Sequence, residues 1–134
     1  MLDNNAMQNE EGGASFVYMG EGGPRVPDDV VQVRVDPSVT VIPYRAFDSK
    51  KKLEVVELHE GLLEIGKYAF RSCISLKRVI VPSTVTLIGV STFSSCVRLE
   101  KIELQEEGIE EIGGFAFYAC KSLKRIHIPT TIKA

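Results

Sequence analysis

Four phenylalanines constrain the chain more than any other feature. Phe47, Phe70, Phe93 and Phe117 stand 23, 23 and 24 residues apart, and Leu53, Leu76, Leu99 and Leu123 follow at the same spacings, each six residues behind its Phe. A fixed period of this length marks a stack of repeated units. Further columns keep the register: Ile42, Ile65, Ile88 and Ile112; Gly66, Gly89 and Gly113; Ala46, Ala69 and Ala116; Cys73, Cys96 and Cys120. A six-residue pattern recurs at residues 30–35, 53–58, 76–81, 99–104 and 123–128, apolar at positions one, four and six in every copy.

The periodicities dictate the unit. In residues 53–58, Val56 and Leu58 point one way and Glu57 the other, as a short strand requires. The return differs: Ile65, Ala69, Phe70 and Cys73 are spaced as on a helix, which predicts one or two tight helical turns laying an apolar stripe inward. The glycine after each Ile marks the bend. A 23-residue unit cannot enclose a core alone. Coils stacked about 4.8 Å apart set each Leu, Ile, Phe and Cys on its counterpart and bury continuous ladders.

The run I-x-x-x-A-F-x-x-C-x-x-L, carried by residues 65–76, 88–99 and 112–123, resembles the BspA-like subgroup of leucine-rich repeats over residues 30–128. The resemblance implies an α/β leucine-rich repeat solenoid. One parallel concave sheet of about five short strands would face short helical or extended returns on the convex side. It also implies an interaction module or surface adhesin rather than an enzyme. Three positions depart from the pattern. The first copy has Pro43 for Gly and Lys50 for Cys, as a terminal repeat with less to bury. Thr92 stands in the Ala column as a tolerated small residue, and one extra residue between Leu104 and Ile109 is expected to form a local bulge.

Composition fits a single globular unit: 134 residues, 44% apolar and 25% charged. A net charge of −2 gives no global positive field, which argues against general binding of nucleic acid or anionic membrane. No apolar run approaches a membrane span, and the first ten residues lack the basic start of a signal peptide. With an odd number of cysteines, a disulfide framework is not expected. Together these predict a cytoplasmic protein, or an extracellular one if the chain is a fragment that has lost its signal. Residues 1–14, with three carboxylates and two glycines, are expected to form a disordered acidic tail. Residues 15–29, opening with an apolar run through Met19, form a candidate N-terminal cap. Residues 30–134 form the solenoid, its last repeat incomplete. The open C-terminal coil leaves three expectations: a piece of a longer protein, a monomer, or end-to-end association.

Candidate sites lie on the outward strand positions, the open face that the resemblance assigns to binding. Position two reads Val31, Glu54, Lys77, Glu100, Lys124, alternating in sign so that neighbours can pair. Position three reads Gln32, Val55, Arg78, Lys101, Arg125, a basic row that invites an acidic protein partner. Position five reads Arg34, Glu57, Ile80, Glu103, His127, with Ile80 an apolar centre flanked by charge. The candidate binding set is therefore Arg34, Glu57, Lys77, Arg78, Ile80, Lys101, Glu103, Arg125 and His127. No catalytic set, cofactor or metal is expected. The cysteines take a small inward position, and His59 and His127 align with the strand side, away from them. Gly20 to Gly23 precede no Lys-Ser/Thr pair, so they make no phosphate loop. Lys50, Lys51 and Lys52 are expected to be a solvated loop, and Glu106, Glu107, Glu110 and Glu111 a solvated acidic knob. The expected function is a non-catalytic module presenting a rigid charged face to a protein. The alternative is the recognition fragment of a larger cell-surface adhesin or receptor.

Overall fold

The computed structural model describes residues 14–133. The expected acidic tail lies, apart from Ala14, outside the described residues. Nine short strands follow in chain order: β1 (Ser15–Tyr18), β2 (Gln32–Val35), β3 (Val41–Ile42), β4 (Val55–Glu57), β5 (Glu64–Ile65), β6 (Arg78–Ile80), β7 (Leu87–Ile88), β8 (Lys101–Glu103) and β9 (Glu111–Ile112). They form two parallel sheets rather than one, ordered β1-β2-β4-β6-β8 and β3-β5-β7-β9. Register follows the sequence period: Val33 pairs with Val56, Val79 with Ile102, and Ile42 with Ile65 and then Ile88. The molecule is a parallel-strand solenoid of about four turns.

The returns are not helical, and no helix occurs among the described residues. The predicted apolar stripe does point inward, with Ile65, Ala69, Phe70 and Cys73 fully buried. What differs is where the amides go. Ala46, Asp48 and Lys50 donate three residues back, to Pro43, Arg45 and Phe47, while Arg45, Phe47 and Ser49 donate to Lys67, Ala69 and Arg71 of the next coil. The pattern recurs as Tyr68, Phe70 and Ser72 donate to Val90, Thr92 and Ser94, and as Ser91, Phe93 and Ser95 donate to Gly114, Ala116 and Tyr118. A helix keeps its amides within itself; here every second one ties neighbouring coils. The alternation requires left-handed backbone at Arg45, Ser49, Tyr68, Ser72, Ser91, Ser95, Phe115 and Ala119, with φ between 56° and 64°. That conformation costs about 1 kcal/mol or more per residue, and the inter-coil bonds offset it.

The phenylalanines pile into one file. Centroids from Phe47 to Phe70, Phe93 and Phe117 are 5.1, 5.4 and 5.8 Å apart with planes within 7° of parallel. Tyr18 closes the N-terminal end edge-on, 5.0 Å from Phe47. The glycine column answers to close approach rather than to the bend, since a Cβ on Gly66, Gly89 or Gly113 would meet backbone of the preceding coil at 2.8, 2.7 or 2.5 Å. Thr92 is buried with its hydroxyl 2.9 Å from Gly66 O and 2.7 Å from Gly89 O, which satisfies the added polar group. The extra residue after Leu104 is absorbed in a bend at residues 106–108, where Gly108 takes φ +121° and packs against the Ser83 carbonyl.

The fifth copy, residues 123–128, does not join the sheet; β1 supplies the fifth strand instead. Its neighbourhood is tied to residues 106–110 by side chains and by one backbone bond that continues the coil-to-coil column, from Lys133 N–H to Glu110 O at 2.7 Å. His127 meets Glu106 at 2.8 Å, Thr130 meets Glu106 at 3.3 Å and Thr131 bonds Ile109 O at 2.7 Å.

Candidate interaction surface

In the main sheet β4, β6 and β8 each bury the middle residue, so their flanking residues face out. Gln32, Val55, Arg78 and Lys101 make one outward row, and Arg34, Glu57, Ile80 and Glu103 the next. Across strands, Arg34 pairs with Glu57, Val55 with Arg78, Arg78 with Lys101, and Ile80 with Glu103. Arg78 and Lys101 are thus two cations on facing positions of neighbouring strands, which is unfavourable without an anion nearby. Neither forms an ion pair among the described residues.

The candidate residues fall into separate groups. Glu57, Arg78 and Ile80 line a hollow of about 470 Å³ together with Val55 and Pro82. Val55 and Ile80 are 48% and 56% exposed, so the floor offers apolar surface beside charge. Val55 was absent from the candidate set; its signal was a valine at an outward position of a short strand. Lys101, Glu103, Arg125 and His127 line a second hollow of about 750 Å³, bounded by β8 and the peeled segment 123–128. Arg125 and His127 are therefore not on the sheet, and His127 is engaged by Glu106. That hydrogen bond holds the carboxyl of the exposed Glu106 below the usual carboxylate range. Lys77 stands one residue before β6, at the rim. No ion pair links Glu54, Lys77, Glu100 and Lys124 among the described residues; exposed partners at the rim gain too little to hold one geometry.

Lys50 is not a solvated loop residue. Its side chain, 13% exposed, donates to Val26 O at 3.1 Å and to Asp28 at 2.9 Å. Burial pushes the Cys73 thiol up to about 12 and raises Cys96 and Cys120 as well, leaving all three protonated. No three His, Cys, Asp or Glu side chains converge as a metal site among the described residues. No helix among them is long and apolar enough to cross a membrane.

A family model described as the BspA type leucine-rich repeat region matches residues 29–134 in six copies. The chain belongs to the BspA-type leucine-rich repeat family. Among solved structures, a T. pallidum leucine-rich repeat protein is 33% identical, with a TM-score of 0.74 over 92% of this chain and 56% of its own. A leucine-rich repeat protein from Bacteroides ovatus is 26% identical, with a TM-score of 0.72 over 87% of this chain and 31% of its own. The pneumococcal vaccine antigen PcpA, 20% identical with a TM-score of 0.64 over 85% of this chain and 32% of its own, shares the fold. This BspA-type chain spans between about a third and just over half the length of these structures. No curated protein matches it. Family and architecture are consistent with a protein-interaction module.

Proposed function

We propose that this BspA-type repeat is a non-catalytic module whose concave sheet face binds an acidic segment of a protein partner. Arg78 and Lys101 receive carboxylates, and Val55 and Ile80 supply apolar contact. The observation that carries the reading is the in-register facing of Arg78 and Lys101 with no ion pair to either among the described residues. A ligand carboxylate relieves that repulsion, so its attraction is gained on binding rather than already satisfied within the chain. The stacked coils hold both side chains on a rigid frame, which limits the entropy lost on association. Residues 15–29 serve as the N-terminal cap, supported by Tyr18 on Phe47 and by Lys50 bonding Val26.

The test is affinity capture by the purified chain beside R78E/K101E, with melting temperatures measured for both. Loss of capture at an unchanged melting temperature supports the site. Equal capture by both proteins removes it. A second reading is favoured by coverage: the chain matches 31% to 56% of its more similar solved relatives, as the recognition part of a longer surface protein would. A transcript running on into further repeats is the expected finding, and a stop codon after Ala134 would rule it out.

A further inference from the structure

Outside the sheet, several large exposed side chains gather on one strip. Tyr44, Val90, Phe115 and Tyr118 are 58%, 41%, 69% and 60% exposed, and all sit on the return turns. The coil-to-coil bonds set Arg45, Tyr68, Ser91 and Phe115 in one column and Asp48, Arg71, Ser94 and Tyr118 in the next. Tyr68 is the hub. Arg71, Lys67 and Arg45 place their charges 4.4, 5.1 and 5.4 Å from its ring centroid, and the Tyr44 ring lies 5.8 Å away. Among the described residues, the one carboxylate ion-paired to any of these three cations is Asp48. Asp48 takes Arg71 at 2.8 and 3.1 Å and reaches Arg45 at 3.5 Å, while Lys67 has no ion pair among the described residues. At the other end Phe115 and Tyr118 pack edge to face, 5.6 Å apart, both open to water.

The strip therefore carries surplus positive charge at one end and bare aromatic surface at the other. Two to three coil spacings, roughly 10–14 Å, separate them. Rings that hold cations in place lower the cost of presenting them, and clustered exposed apolar side chains mark contact surfaces. Stacking of a sugar ring is disfavoured where three cations crowd the Tyr68 ring, and the chain's net negative charge disfavours a nucleic acid. We propose that this strip is a second binding surface, separate from the concave face, for a short extended acidic peptide. Its carboxylates meet Arg45 and Lys67, and an apolar side chain three or four residues further on, about 10–13 Å along an extended chain, meets Phe115 and Tyr118.

The experiment titrates ¹⁵N-labelled chain with acetyl-Glu-Asp-Gly-Gly-Trp-Leu-amide, following amide shifts. Shifts are expected at Lys67, Tyr68, Val90, Phe115 and Tyr118. Binding should weaken at least tenfold in R45E/K67E and in F115N/Y118S, and stay unchanged in R78E/K101E. Asn at 115 tolerates the left-handed backbone, and K67Q alone provides a milder charge loss should the double variant melt early. Absence of binding, shifts confined to the concave sheet, or equal binding of the acetyl-Lys-Lys-Gly-Gly-Trp-Leu-amide control would overturn the proposal. So would an acidic oligosaccharide competing for the strip as well as the peptide does.

Discussion

The thiol of Cys96 donates to the carbonyl oxygen of Phe70 across 3.1 Å, from one coil back to the preceding one. Cys73 does the same to Phe47 and Cys120 to Phe93, at 3.1 and 3.0 Å. The cysteine column is thus a second set of coil-to-coil ties beside the phenylalanine file. Replacing Cys96 by Ala removes both the donor and its packing, and is expected to cost about 1–3 kcal/mol of unfolding free energy by urea titration. The buried thiols with raised pKa should not react with iodoacetamide at pH 8 until the chain unfolds. Rapid native-state labelling of Cys73 or Cys96 would contradict the ladder.

Lys50 occupies the same column in the first coil and reaches back to Val26 as the cysteines reach back to phenylalanines. The missing cysteine is a change of partner, from a repeat coil to the N-terminal segment. Lys50→Met keeps the bulk and loses both bonds, so hydrogen exchange at residues 25–31 should accelerate while the sheet around β6 stays protected. Hydrogen bonding to Lys50 holds the Asp28 carboxyl below the usual range. A depressed carboxylate stabilises the fold above its unfolded pKa, near 4, and that contribution is lost as pH falls through the lower folded value. The extra protection at 25–31 should therefore fade on acidification below pH 4 in the parent chain. In Asp28→Asn the fading should be absent.

The repeat columns made the core legible. Phe47, Phe70 and Phe93, Ile65 and Ile88, and Leu53, Leu76 and Leu99 recur at fixed spacings, and burial in a stack is the one arrangement that uses them all. The return conformation was not legible, because inward spacing at Ala69, Phe70 and Cys73 is shared by a helix and by alternating turns. The left-handed residues that decide between them are Arg, Tyr, Ser, Phe and Ala, none of which announces that backbone as Gly or Asn would. The outward face of the main sheet was half legible. Strand phase turned Arg78, Ile80 and Lys101 outward, but it also extended the sheet to Arg125 and His127, which the structure leaves off it, His127 meeting Glu106 through its side chain instead. The strip around Tyr68 leaves no repeat signal, because its residues change type from coil to coil.

Position in the file sets the cost of losing a ring. Phe70 lies between two stacked neighbours and is fully buried, whereas Phe117 has one stacked neighbour and is partly exposed. Phe70→Ala should cost about 3–5 kcal/mol, and Phe117→Ala roughly half as much. Urea midpoints at matched m-values decide it; equal losses at both positions would mean that the stack is not continuous.

Two glycines separate the roles of space and conformation. A Cβ on Gly89 would lie 2.7 Å from the Lys67 backbone nitrogen and 3.0 Å from the Gly66 carbonyl carbon, whereas one on Gly114 would meet nothing within 4 Å. Neither residue has a positive φ, so strain from a left-handed backbone does not enter. In Gly89→Ala the second and third coils must part, lengthening the inter-coil bonds that flank it, from Gly89 to Ile65 and from Tyr68 to Val90. Overpacking against backbone, which cannot rotate aside as a side chain can, should cost about 1–3 kcal/mol. Gly114→Ala should be neutral or stabilise by about 0.4–1 kcal/mol, since it restricts the unfolded chain and fits the folded one. Thermal melts of the two variants are the measurement. If Gly89→Ala were as stable as the parent, the glycine column would not be set by coil contact, and the tight stacking inferred for the return side would be wrong.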